Sequence, residues 1–338
     1  MKNKKTWSLL VVGLLVGFVA WAHSDGRFAH KQLQLLPNQA TEFRSDVQEP
    51  SNYNPIKAVE QITPRNTIAE EGIEIYAFTE SNITNEEATG LIKVNSKSPG
   101  SVTHVKNVWE WATAGAYAEQ DYYVMVSYMM YQPTLYTVDL ETGEMTSLVA
   151  CTSEGGSEAR QALEMSYDVI SKTMYMIAFD ENDENFNTGL YTVDLKTGEQ
   201  KLIIKNMKRH IYAMAINAEG TMYGVDGDGM LCKIDKETGA CTEVASTGLR
   251  PFYRQSMDFD RETGIVYWAY SDTWRYATLY TLDVATAEAT KIGEIGGKEE
   301  QQIVGMHVPY SLYSADAPSF VTDLTITPDA TGELNAPL

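Results

Sequence analysis

Positive charge is scarce in this chain of 338 residues: 26 lysines and arginines stand against 46 aspartates and glutamates, a net charge of −20 at pH 7. That imbalance repels phosphate backbones and anionic lipid surfaces, so it argues against nucleic acid and against electrostatic adsorption to membranes. Cysteine is nearly as scarce. Cys151, Cys232 and Cys241 allow at most one disulfide, with a thiol left over. The five histidines, His23, His30, His104, His210 and His307, form no His-x-His or His-Glu-x-x-His run, which removes the usual grounds for expecting zinc. Also missing are the Gly-x-Ser-x-Gly elbow that presents a nucleophilic serine and any glycine loop after a strand that would cradle a phosphate.

What is present at the N-terminus is a secretory signal. Lys2, Lys4 and Lys5 supply its positive region, Trp7 to Ala20 its uncharged apolar run, and Ala20-Trp21-Ala22 its small-x-small cleavage site. The run falls short of the ~20 apolar residues that cross a bilayer, and no cysteine follows it to take a lipid. Residues 1–22 are therefore expected to be removed, with no membrane insertion afterwards. Losing three lysines takes the exported chain from −20 to −23. Residues 23–65, rich in Asn, Gln and Pro, read as a lead-in. At the other end, Phe320 to Thr327, a turn over Pro328 to Gly332, and Glu333 to Leu338 read as the first strands of an immunoglobulin or fibronectin type III sandwich. Such a sandwich needs about seven strands, so residues 315–338 are expected to open a further domain that continues past residue 338.

Between these ends lies a repeat. Leu135-Tyr-Thr-Val-Asp-Leu-Glu-Thr-Gly143 recurs from Leu190, Leu231 and Leu279, with a degenerate first copy at Leu91, at spacings of 44, 55, 41 and 48 residues. This period matches a four-stranded propeller blade and is too long for one coil of a β-helix. In each copy an alternating strand runs into an aspartate able to bond the following turn, and Thr-Gly reverses the chain, glycine taking the left-handed position. A second hairpin precedes each of these, for example Met165 to Asp168 returning through Met174 to Phe179, and Met257 to Asp260 returning through Ile265 to Tyr270. Gln302 to Val308 reads as an inner strand without an outer hairpin, and Ile73 to Phe78 as a second strand without a first. Together they complete one blade and close the ring, which removes free sheet edges. The fold class is thus all-β: a β-propeller over residues 66–314 with five four-stranded blades, or six if residues 28 to 65 hide strands.

The Tyr-Thr-Val-Asp-x-x-Thr-Gly hairpins, the signal and the trailing fibronectin-like strands resemble secreted or surface propeller proteins of Bacteroidetes-type bacteria. The resemblance covers residues 66 to 338, and the hairpin is shared with quinoprotein-like, YVTN-like and NHL-like blades. It implies an exported interaction module joined to adhesion-type domains; it supplies no ligand.

Residues leading into the inner strands are where propellers present a binding face. Arg160 and Arg209 each lie five positions before an aligned methionine, His210 stands beside the second, and Arg254 is flanked by Phe252, Tyr253 and Gln255. Trp109 and Trp111 precede the second blade, and Gln301-Gln302 begin the last inner strand. If these arginines converge, they and the tryptophans would suit a sugar or a carboxylated ligand. The alternative is that each arginine pairs with a local acid such as Glu158 or Glu164. Asp180 to Asn185 and Asp226-Gly-Asp-Gly229 lack the full spacing of a calcium loop and read as strand connections. Asp168, Asp258 and Asp260 lie on inner hairpins but align with Asn217 and Ala215, so they read as structural. A Cys232–Cys241 bridge would be diagonal across its hairpin and borderline for the Cα limit of about 7 Å; small buried hydrophobes is the preferred account of all three cysteines. The sequence therefore points to an exported, non-enzymatic module that binds a glycan or protein at its loop face, with no cofactor and no metal. A propeller-fold carbohydrate hydrolase would instead require carboxylates converging in the channel. A structural spacer would show a shallow loop face without clustered Trp and Arg.

Overall fold

Each repeat of the sequence folds as one blade. The computed structural model describes residues 60–62, 71–82, 89–108, 110–127, 132–154, 158–179, 187–252, 254–273, 276–297, 300–310 and 312–314. The signal segment and residues 315–338 lie outside them, as do Trp109, Tyr253 and Asp180 to Asn185. From the innermost strand outward, blade 2 is Ala112–Ala118, Asp121–Val126, Thr134–Val138 and Met145–Ala150. Blade 3 is Glu164–Asp168, Thr173–Phe179, Thr188–Val193 and Glu199–Ile204. Blade 4 is Ile211–Ile216, Met222–Asp226, Met230–Ile234 and Cys241–Ser246, and blade 5 is Ser256–Asp260, Ile265–Tyr270, Thr278–Leu282 and Ala289–Glu294. Blade 1 joins the two ends of the ring: Gln301–His307 lies innermost, against Glu74–Asn82, Gly90–Asn95 and Val102–Asn107. The innermost strands touch in the order 1, 2, 3, 4, 5 and back to 1, so the circle is closed. Two short pairings fall outside the five-blade pattern. Thr152–Ser153 adds a parallel edge to blade 3, and Glu60–Ile62, within the expected lead-in, pairs with Leu312–Ser314.

The recurring Asp-x-x-Thr-Gly stretch makes the outer turns as its chemistry dictates. Asp194 Oδ1 accepts the Lys196 and Thr197 amides at 2.9 and 2.8 Å, and the Gly198 amide returns to the Asp194 carbonyl at 2.8 Å. Gly198 sits at φ 71°, a left-handed value that glycine adopts freely. In the fourth copy Ala287 holds the same place at φ 62°, and its methyl is buried among the side chains between blades 4 and 5.

Five apolar clusters lie one to each blade interface, for instance Phe78, Leu91, Tyr122 and Val124 between blades 1 and 2. A blade is therefore covered on both faces, and its inner strands are buried end to end, as in Glu164–Asp168 and Ser256–Asp260. Outermost strands such as Met145–Ala150 are largely exposed. The blade-4 outer hairpin pairs Ile234 with Cys241 and Cys232 with Glu243. The cysteine thiols are free, with Cys151 and Cys232 buried, and Cys232 and Cys241 donate to the carbonyls of Met230 and Gly239, each at 3.8 Å.

Candidate functional site

Two places on this fold have the chemistry to act: the central channel and the loops at the end where the inner strands begin. The channel holds the carboxylates a hydrolase would need, but they are engaged in joining blades. Glu164, on the innermost strand of blade 3, accepts the Met165 amide on Oε1 and, from blade 5, the Met257 amide on Oε2, both at 3.2 Å. Asp258 of blade 5 accepts the Phe259 amide at 2.9 Å and the Val308 amide at 2.9 Å. Ser256 Oγ takes the Met306 amide at 2.8 Å and Ser166 Oγ the Ile216 amide at 3.0 Å. Each of these side chains supplies an acceptor to a backbone N–H of another blade, Glu164 across the ring and the others to a neighbour, and such bonds tie the sheets together. Asp168 and Asp260 cap their own hairpin turns, Asp168 accepting the Ile170 amide at 2.9 Å and Asp260 the Glu262 amide at 3.1 Å.

Burial pushes the Glu164 carboxyl well above the ordinary carboxylate range, and the Asp258 charge adds to it. Burial likewise raises Glu80 although Arg254 opposes the rise. A carboxyl raised in this way contributes stability that is complete below its unfolded pKa and is lost as pH climbs through the folded value. The turn aspartates Asp139, Asp194 and Asp235 are lowered, chiefly by the amides of Thr142, Thr197 and Thr238. Their contribution is present above about pH 4 and lost as pH falls below it. Stability is therefore expected to peak on the mildly acid side of neutrality. From there towards pH 8 it should decline as the raised carboxyls ionise. Urea denaturation across pH 5 to 8 checks this: Glu164→Gln should flatten the decline, and an unchanged slope would show that Glu164 is ionised in the fold.

An arginine stands at each end of the innermost strand of blade 5 and reaches across to other blades. Where the inner strands begin, Arg254 Nε pairs with Glu80 of blade 1 at 3.0 Å, and its Nη1 donates to the carbonyls of Thr113 and Ala162, each at 3.3 Å. Glu80 sits at a register shift between Thr79 and Ser81, a bulge that re-aims its side chain. At the other end Arg261 donates to the Tyr167 carbonyl at 2.7 Å and the Ile216 carbonyl at 3.3 Å, and lies over the Tyr310 ring.

The other loop-face candidates separate by partner. Arg209 is held within blade 4 by Asp226 and Glu243, so it and Arg254 answer to different acids, neither of them Glu158 or Glu164. His210 stacks on Tyr212 at 4.1 Å and meets Phe179 edge-on at 4.7 Å, and burial pushes it down to about 4, which keeps it neutral. The Arg160 backbone is clamped by the Gln200 side chain at 2.6 and 2.8 Å. Trp111 is half-buried, its carbonyl accepting the Ser127 amide. Gln302 is 4% exposed, with Nε2 lacking a hydrogen-bond partner. Trp109 and Tyr253 lie outside the described residues.

Phe252 is different. It is 52% exposed, and with Tyr276 at 40% it makes up the exposed phenylalanines and tyrosines among the described residues. The backbones of both meet Ser271, whose carbonyl accepts the Phe252 amide at 2.8 Å and whose hydroxyl is shared between the Thr273 carbonyl and the Tyr276 carbonyl, 2.8 Å from the latter. Gln255, 1% exposed, locks the arrangement by donating to the Phe252 and Ser271 carbonyls and accepting from Trp268 Nε1 at 3.0 Å. A cleft of about 280 Å³ has Tyr276 in its wall, together with Tyr270 and Tyr280. Tyr276 went unnoticed in the sequence because it stands in a loop without repeat-aligned partners. Among the described residues no group of three His, Cys, Asp or Glu side chains is placed to hold a metal ion.

No protein-family model matches the chain, and no curated protein sequence matches it. Solved structures are similar in fold. TolB from Acinetobacter baumannii has 14% identity and a TM-score of 0.43, over 70% of this chain and 68% of that one. An auxiliary nutrient binding protein from Bacteroides ovatus has 16% identity and a TM-score of 0.34, over 50% of this chain and 37% of its own. The periplasmic gluconolactonase of Pseudomonas aeruginosa has 8% identity and a TM-score of 0.38, over 70% of this chain and 100% of its own. None of the three supplies a residue or a ligand for this chain, which is a five-bladed β-propeller.

Proposed function

We propose that this is an exported, non-enzymatic glycan-binding propeller whose contact surface is the loop face of blade 5. The observation that carries the reading is the pair Phe252 and Tyr276, exposed yet held on one residue, Ser271. Exposed aromatic rings stack on the apolar faces of sugar rings, and a backbone already held in place lowers the ordering cost of binding. The engagement of Glu164 and Asp258 with backbone amides of other blades argues against glycosidic chemistry in the channel. Export rests on residues 1–22, and a continuing domain after residue 315 would tether the propeller to a larger surface protein.

A glycan array probed with the full chain tests this. The chain should bind a subset of saccharides, and Phe252→Ser with Tyr276→Ser together should weaken that binding at least about tenfold. An array without a saccharide ligand, or binding unaffected by the double substitution, would remove the proposal.

A further inference from the structure

Resting on that glycan-binding reading, we infer that the blade-5 cleft is a saccharide subsite selective by charge: it takes an amino-substituted or uncharged pyranose and disfavours acidic sugars. The volume, about 280 Å³, lies at the lower edge of the roughly 300–1,000 Å³ typical of ligand pockets, room for one sugar ring rather than a long chain. Three tyrosines line it: Tyr270, Tyr276 and Tyr280. Tyr270 and Tyr280 meet edge-on at 5.5 Å, and both pack on the fully buried Trp268, at 5.0 and 6.5 Å. The Tyr270 hydroxyl donates to the Arg250 carbonyl at 3.1 Å. These contacts hold the aromatic wall still before a ligand arrives, so little ordering cost falls on binding.

Charge decides which sugar fits. Among the described residues the cleft is lined by two carboxylates, Asp272 and Glu294, and one ammonium, Lys291. Lys291 Nζ lies 3.6 Å from Glu294 Oε1, so its charge is already balanced. Tyr276 donates to Glu300 at 3.1 Å, adding a third carboxylate at the rim. An acidic sugar would thus meet net negative charge, while an amino group would find a carboxylate. Because Lys291 and Glu294 are half-exposed, at 53% and 51%, each step in ligand charge is expected to change affinity only about two- to fivefold.

Saturation-transfer NMR titrations of the full chain with glucosamine, glucose and glucuronate, three pyranoses differing chiefly in charge, test the inference. Affinity should fall in that order. Glu294→Lys, at a half-exposed position, should invert the ranking of glucosamine and glucuronate while leaving glucose within about twofold. Tyr280→Ser should weaken all three. Should the wild type bind saccharides but favour glucuronate, or should neither substitution alter any affinity, the subsite is overturned while glycan binding elsewhere on the face stands. A wild-type chain that binds none of the three sugars and no arrayed glycan overturns both.

Discussion

Replacing Arg254 by alanine is expected to cost the ring about 3–5 kcal/mol at pH 8 and distinctly less at pH 5. Arg254, anchored in front of blade 5, reaches Glu80 of blade 1, the Thr113 carbonyl of blade 2 and the Ala162 carbonyl ahead of blade 3. Without it, two carbonyls lose a charged donor and Glu80 is left in a site whose burial already raises its carboxyl. The carboxyl can then escape its penalty only by taking up a proton, which is easier at pH 5 than at pH 8. For a domain of this size the loss at pH 8 corresponds to a drop in Tm of about 6–20 °C. Glu80→Gln in the same background should recover part of the drop and remove most of its pH dependence. Thermal denaturation followed by circular dichroism at both pH values measures this. A single drop of equal size at pH 5 and pH 8, unaffected by Glu80→Gln, would show that Arg254 acts only through packing.

A larger effect is expected at Gly305. This residue lies within the innermost strand of blade 1, at a register shift between the pairs Phe78–Val304 and Tyr76–His307, with φ 58°. Its carbonyl accepts the Tyr122 hydroxyl of blade 2. A Cβ there would lie 2.8 Å from the Tyr122 hydroxyl and 2.9 and 3.1 Å from the backbone N and Cα of Gly115. The left-handed backbone and the backbone contact act together, and a β-branched side chain suffers most from both. Gly305→Val should therefore cost more than about 4 kcal/mol, the range reserved for core disruption. Because Gln301–His307 is the strand that joins the two ends of the ring, the loss should appear as an open, protease-sensitive chain. Limited proteolysis with size-exclusion chromatography reads it directly. A Gly305→Val chain that elutes and resists protease like the wild type would mean that blade 1 closes by other means.

The contrast between Gly305 and the outer turns shows what the sequence made legible. The Asp-x-x-Thr-Gly turns are local: acceptor, donors and left-handed glycine lie within five residues, so the motif could be read directly, and its spacing gave the blade period, while ring closure was read from the unpaired strands Ile73 to Phe78 and Gln302 to Val308. Local chemistry also identified Asp168 and Asp260 as turn residues. The channel could not be read in this way. Arg254 was visible as a charged residue before an inner strand, but its partners Thr113 and Ala162 stand 141 and 92 residues away. Glu80 faces it through a bulge, which has no sequence signature in this strand. Glu164, suggested by the sequence only as a partner for an arginine, instead bonds an amide 93 residues distant on blade 5. At the candidate site, Phe252 stood out because it neighbours Arg254, whereas Tyr276 joins it only through Ser271, a contact that exists once blade 5 has folded.

Hydrogen exchange with and without a saturating array-selected glycan tests most directly where this protein binds. Protection should rise in peptides covering residues 249–255 and 271–280, and stay unchanged along the inner strands that carry Glu164 and Asp258. New protection confined to residues 162–168 and 256–260 would locate the ligand in the channel and contradict the account.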